Sequence, residues 1–269
     1  HPHLELEHIG APTRAMSIKG IALAIFLAYR NNSANDRWWE SRKIWGGIVN
    51  VSRTFTGYIS NFFPNSMDNE IREIVHRHLA WINALRIQLR EQEDWEDIIK
   101  FISSEEWEFI SGAKNKATQI INKQIQVITQ LKNKDMLDPF EHQMIMDCLR
   151  EMYDLQGKAE RIKKTIFPYY YEYFTRFLLW VFIICLPLSL VPVSGWHTLP
   201  ISVVTSFIFY ILERTGSVTE TPLDWNSSGT PMTSLCRTIE IDVLQQIGET
   251  SIPEPREIQI TKNGTLFLD

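Results

Sequence analysis

Ile21, Ile25 and Tyr29 recur at every fourth residue within the segment Gly20 to Asn50, GIALAIFLAYRNNSANDRWWESRKIWGGIVN. At 3.6 residues per turn this spacing stacks the three side chains in one stripe along a helix. Ala22, Ala24 and Ala28 lie between them and permit close approach of neighbouring helices. The chemistry open to such a stripe is control of water: gathered around an axis in several copies, it lines a narrow apolar tube that disfavours a hydrated ion. The same spacing describes a plain core helix, and on spacing alone that is the commoner case, because i, i+4 apolar stripes occur in most globular helices.

The remaining groups with chemical potential do not assemble. His1, His3 and His8 sit among glutamates near the start, where nothing fixes a metal geometry, and a loop is the plainer reading. His76 and His78, two apart, point to different faces of a helix and make no metal pair. Cys148, Cys185 and Cys236 are odd in number, far apart and outside any CxxC pair, which implies a reduced, cytoplasm-facing setting without disulfides or zinc. No GxxxxGK, GxGxxG, HExxH or GxSxG pattern occurs. Carboxylates are spread along helical faces where solubility explains them. The sequence therefore offers no catalytic constellation, no metal site and no cofactor site, and the expectation is a protein that is not an enzyme.

The elements that would position the stripe read as helices. Ser17 to Arg30 has an apolar run of about ten residues, too short to cross the roughly 30 Å hydrocarbon core unless other helices shield it. Arg30 to Arg37 then forms a polar step, Arg30-Asn31-Asn32-Ser33, that can break or cap the helix before the next begins. Trp38, Trp39 and Trp45 follow at helical spacing, either as core residues or at a water–lipid boundary. Ile48 to Ile128 reads as helical almost throughout, with a turn at Pro64-Asn65-Ser66 and a bend at Glu91 to Asp97. Asp138 before Pro139 marks a helix start. From Phe177 to Leu212 there is no Asp, Glu, Lys or Arg, and Pro192, Ser194 and Gly195 divide this span into Phe177–Val191 and Trp196–Leu212. Each half is marginal for one crossing but adequate for a tight membrane hairpin. Tyr and Trp cluster at the ends of the span, and Lys163, Lys164 and Arg176 precede it while Glu213 and Arg214 follow, as expected for a hairpin whose open end is cytoplasmic. Two buried soluble helices also fit the length. Thr215 to Thr233 reads as a polar loop and Arg237 to Gln246 as a last helix.

The net charge of −5 and pI near 5.9 give no general attraction for nucleic acid or for an anionic membrane surface. His1 to Thr13 lacks the apolar core of a secretory signal. The sequon Asn226-Ser-Ser is denied glycosylation by the cytoplasmic placement of its loop.

The run Phe26-Leu-Ala-Tyr29-Arg30-Asn31-Asn32, with Asp36-Arg37-Trp38-Trp39-Glu40, Trp45-Gly46 and Ser52-Arg53, resembles the signature of the bestrophin family, in particular its bacterial branch. Pro231-Met232-Thr233-Ser234-Leu235-Cys236-Arg237-Thr238-Ile239-Glu240-Ile241 is similar to the family's closing segment. The matches run in order from about Gly20 to Gly248, with Asn35 departing from the Tyr that bacterial relatives often carry. The resemblance implies an all-α membrane-embedded channel subunit with a large cytosolic helical portion, assembled as a homo-pentameric ring in the cell inner membrane, multi-pass. The implied partners are further copies of the chain, the lipid bilayer and permeant inorganic ions. It implies a polar segment at 1–16, a pore-lining helix at 17–32, a cytosolic helical region at 33–168, a membrane hairpin at 169–214 and a cytosolic loop, helix and tail at 215–269. Ile21, Ile25 and Tyr29 become the pore neck. Arg30, Asn31, Asn32, Asp36, Arg37, Trp38 and Trp39 become the junction between membrane and cytosol. Phe140 falls near the cytosolic aperture of the family, although a helix-end packing role is an equal alternative. The family carries a further membrane helix ahead of this element that is not found in these residues. Animal members bind calcium with an acidic cluster where this chain has only Glu220 and Asp224, so no calcium gate is expected. Animal relatives pass chloride and bicarbonate, some bacterial ones favour monovalent cations, and the acidic balance here leans toward cations such as sodium. The alternative from another class is a non-conducting membrane-associated helical scaffold or binding protein.

Overall fold

A computed structural model describes residues 13–165, 168–225, 229–256, 259–260 and 266–267. His1, His3, His8 and the Asn226 sequon lie outside them. Apart from a two-stranded antiparallel pair, β1 (Gln259–Ile260) with β2 (Leu266–Phe267), the described elements are helical. They cluster into two compact units, residues 1–39 with 165–222 and residues 40–164 with 223–269.

The first helix, α1, runs from Thr13 to Phe62 without interruption. At 1.5 Å per residue its 50 residues extend about 75 Å. The break that the polar step at Arg30 to Asn35 allowed does not occur. Arg30 and Asn31 find side-chain and backbone partners on neighbouring helices, and these outweigh the weak local preference of Asn and Ser for caps and turns.

In the first unit the N-terminal part of α1 packs on a hairpin of α7 (Tyr169–Ser194) and α8 (Thr198–Thr219), joined by a 3-10 turn at Gly195–His197. Gly195 adopts φ +49°, a left-handed conformation that a side chain disfavours, and so supplies the reversal. Pro187 and Pro192 lie inside α7, where each removes one helical hydrogen bond. Met16, Leu23 and Leu27 interlock with Leu179, Phe182 and Leu186 as the core of this unit. A Cβ on Gly20 would come within 3.1 Å of the Phe182 ring, so the missing side chain lets α7 lie close. Helix α8 continues through Thr219, so Thr215 to Thr219 is helix where the sequence suggested loop.

The second unit is a bundle around α2 (Asp68–Leu89), whose side chains from Leu79 to Ile87 are buried on every face. It packs against α5 (Lys116–Asn133), α6 (Pro139–Lys164) and α9 (Met232–Gln246), with the short helices α3 (Glu96–Ile99) and α4 (Ser104–Ser111) at one end. Trp45, Phe55 and Trp81 fill the centre, and Trp81 Nε1 donates to Gln156 at 3.0 Å. Asp138 caps α6 by accepting from the backbone of Phe140 and Glu141, while Glu141 accepts from the Asp138 N–H, a reciprocal capping box. Pro139 occupies the first helical position, as the sequence predicts.

Candidate functional site

Helix α1 carries two apolar faces in the first unit, and only one is used internally. Leu23 and Leu27 are 1% exposed. Ile21, Ile25 and Tyr29 are 62%, 64% and 54% exposed, and Ile18, one turn earlier on the same stripe, is open as well. The Tyr29 ring touches only the edge of this face, tilted against Tyr171 at 5.2 Å between centroids. An apolar stripe left open beside a filled one is what a helix needs if it meets further copies or an axis outside its own chain.

Next along α1, Arg30 is held by an ion network. Arg30 is 1% exposed. Its guanidinium reaches Glu213 at 3.0 Å and Glu220 at 2.9 Å on α8, or the residue after it, and Glu172 on α7 at 3.8 Å. Arg176 adds contacts to Glu172 at 2.7 Å and Glu213 at 3.6 Å. Two arginines thus face three carboxylates: the Arg30 contacts tie α1 to the base of the hairpin, and the Arg176 contacts lie within the hairpin itself. Asn31 donates to the Leu212 carbonyl at 3.1 Å. A Cβ added at Gly216 would fall 2.1 Å from Asn31 Oδ1, so only glycine admits Asn31 at this closeness. Arg37 donates to the backbone carbonyls of Glu220 and Thr165. Asn32 and Asp36 are exposed. Trp38 and Trp39 stack at 5.8 Å, with Trp39 largely open, whereas Trp45 is fully buried in the core of the second unit.

Sequence reasoning selected Arg30 but not its partners. Glu172, Glu213 and Glu220 are more than a hundred residues away along the chain, and the available signal was that charges resume immediately beyond each end of the uncharged Phe177 to Leu212 span.

The other candidates are placed separately. Phe140 is 82% exposed at the start of α6, so the described residues cover little of its ring. Glu220 is engaged with Arg30, and Asp224 accepts from Lys163 at 2.8 Å. His76 contacts Glu249 at 3.2 Å. His78 is buried between Phe55 and Trp81, and burial pushes its imidazole down to about 3, so it stays neutral. Burial likewise pushes the Cys148 thiol up to about 11 and that of Cys236 to about 12, which leaves both unreactive at neutral pH. Among the described residues no three His, Cys, Asp or Glu side chains gather as metal ligands. The stretch Tyr169–Thr219 is long and apolar enough to cross a membrane, with a mean hydropathy of 2.4 in its most apolar window and 22% of that window buried. A soluble core helix would be mostly buried.

The chain is similar to known proteins. The voltage-dependent anion channel-forming protein YneE of Escherichia coli K12 is 28% identical over 253 residues, covering 94% of this chain and 82% of the relative. The voltage-dependent anion channel-forming protein mll4386 of Mesorhizobium japonicum is 27% identical over 230 residues, covering 86% of this chain and 74% of its own. A crystal structure of a bacterial bestrophin homolog from Klebsiella pneumoniae matches with a TM-score of 0.86 at 26% identity over 89% of each chain. Residues 2–245 match the bacterial/fungal bestrophin family model, and the chain belongs to that family.

Proposed function

We propose that this chain is one subunit of a homo-pentameric ion channel, multi-pass in the cell inner membrane, with one α1 helix per copy lining the pore. The observation that carries the reading is the open face of Ile21, Ile25 and Tyr29 on a helix whose opposite apolar face is filled within its own unit. Ring closure brings five such faces to one axis. A narrow apolar neck disfavours ion hydration and gates by dewetting, so a small rotation of α1 changes conduction steeply. Phe140, open to solvent on α6, supplies a second apolar ring at the cytosolic aperture. The segment Arg30 to Trp39 forms the membrane–cytosol junction, where the buried Arg30 network fixes the pore helix to the hairpin. The bestrophin family is one of ion channels and not of enzymes.

The permeant species are small monovalent ions. The relatives are named for anions, while the net charge of −5 favours cations, and the reversal potential under a salt gradient decides between them. Replacing Ile21, Ile25 and Tyr29 together with Ala widens and wets the neck, and single-channel conductance in planar bilayers is expected to rise. Unchanged conductance refutes the assignment of the neck. A pentamer that releases no ions from loaded liposomes is instead the non-conducting scaffold.

A further inference from the structure

Helices α7 and α8 line a groove of about 510 Å³ along their hairpin. Its walls are Trp180, Ile183 and Pro187 from α7 and Val203, Phe207 and Tyr210 from α8. Ser202, which also faces it, donates its hydroxyl to the Leu199 carbonyl at 3.0 Å and so presents no free donor. The volume lies within the range of pockets that hold small-molecule ligands.

Each wall ends in an arginine. Arg176, Trp180, Ile183 and Pro187 follow i, i+4, i+7, i+11, and so do Val203, Phe207, Tyr210 and Arg214, so each set lies on one helix face. Because the hairpin is antiparallel, Arg176 and Arg214 stand at the same end, beyond the Trp180 and Tyr210 rings. The two cations are not equivalent. Arg176 is held by Glu172 and Glu213. Arg214 is exposed, and among the described residues no carboxylate lies within 4 Å of it.

We propose that this groove holds one acyl chain of an anionic phospholipid whose phosphate pairs with Arg214. The charge complementarity is specific, since the other arginines of this unit that lie at the base of the hairpin, Arg30 and Arg176, are paired with carboxylates while Arg214 is left over. The indole of Trp180 and the phenol of Tyr210, amphipathic rings of the kind enriched at headgroup level, separate the charged mouth from the apolar interior. From Arg214 to Leu199 the α8 wall runs about 22 Å, longer than the roughly 15 Å of one hydrocarbon leaflet. An acyl chain entering at the mouth therefore has groove wall beside it over its whole depth, apolar apart from Ser202 and Ser206. The proposal rests on the membrane reading of Tyr169–Thr219 and does not require the neck to conduct.

Native mass spectrometry of the purified full-length oligomer tests it, with phosphatidylglycerol and phosphatidylcholine of matched acyl chains as probes. The wild type is expected to retain phosphatidylglycerol more tightly. Arg214→Gln is expected to lower that affinity about five-fold toward the phosphatidylcholine value, the effect of one cation at a membrane surface. Val203→Trp, which fills the groove from an exposed position, is expected to weaken both lipids. Equal retention of the two lipids by wild type, or phosphatidylglycerol binding unchanged in either variant, overturns the proposal. The oligomer mass in the same spectra and ion flux from liposomes report on the channel separately. Flux without lipid preference refutes the lipid site alone, and lipid preference without flux upholds the site while refuting the channel.

Discussion

Arg30→Met isolates what the buried network contributes. The substitution keeps an unbranched apolar stem in a site that is 1% exposed and removes the cation facing Glu213 and Glu220, whose side chains are 8% and 13% exposed. Arg176 then remains as the network's other arginine, reaching Glu213 only at 3.6 Å. Removing one partner of a buried ion pair costs about 3–5 kcal/mol, because the other charge stays desolvated. At about 2–4 °C per kcal/mol for a chain of this size, the apparent Tm in detergent should fall by roughly 6–20 °C. Arg176→Met is the control. That residue is half-exposed, and its loss should cost under about 1 kcal/mol. In the double variant Arg30→Met with Glu213→Gln, one stranded carboxylate is neutralised, and a coupling of about 1–3 kcal/mol should return. Thermal unfolding followed by intrinsic tryptophan fluorescence reads these three variants together with Glu213→Gln alone and the wild type. If Arg30→Met and Arg176→Met shift Tm equally, or if Arg30 and Glu213 prove additive, the junction is not a buried clamp and the reasoning fails.

Three further perturbations probe separate parts of the molecule. Burial holds the folded His78 near 3 against about 6.5 when unfolded, so the unfolded state binds the extra proton, and stability present above pH 6.5 is lost as pH falls toward 3. From pH 7 to pH 5 the wild type should lose about 2 kcal/mol more than His78→Phe in urea unfolding, and parallel pH profiles would refute this. Gly216→Ala puts a Cβ 2.1 Å from Asn31 Oδ1 and should destabilise by about 1–3 kcal/mol despite the better helix propensity of Ala, with Asn31→Gly restoring most of the loss in thermal unfolding. Phe140→Ala, at a side chain 82% exposed, should leave Tm within the equivalent of about 0.5 kcal/mol while changing bilayer conductance, and an unaltered current–voltage relation would remove Phe140 from the conduction path.

The parts of this structure legible in the sequence are those that depend on local pattern. The uncharged span with Pro192 and Gly195 near its middle gives the hairpin, since lack of charge and a reversal residue suffice to define it. Asp138 and Pro139 give the start of α6 because a cap needs only neighbours in the chain. What was not legible depends on partners remote in sequence. Asn31, Asn32, Ser33 and Asn35 read locally as a break, yet α1 passes through them, because Asn31 bonds the Leu212 carbonyl and the adjacent Arg30 meets Glu213 and Glu220. Gly216 shows the same dependence: in sequence it is a glycine near a helix end, while in the fold it is the gap that Asn31 occupies. The tryptophans divide likewise. Trp38, Trp39 and Trp45 share a helix, but Trp45 is core of the second unit and Trp39 is open. The open stripe at Ile21, Ile25 and Tyr29 has the reverse character. Its period was plain from the sequence, but an apolar period alone never distinguishes a filled face from an empty one. Leu23 and Leu27 are buried against α7, while Ile21, Ile25 and Tyr29 stay open on the other face.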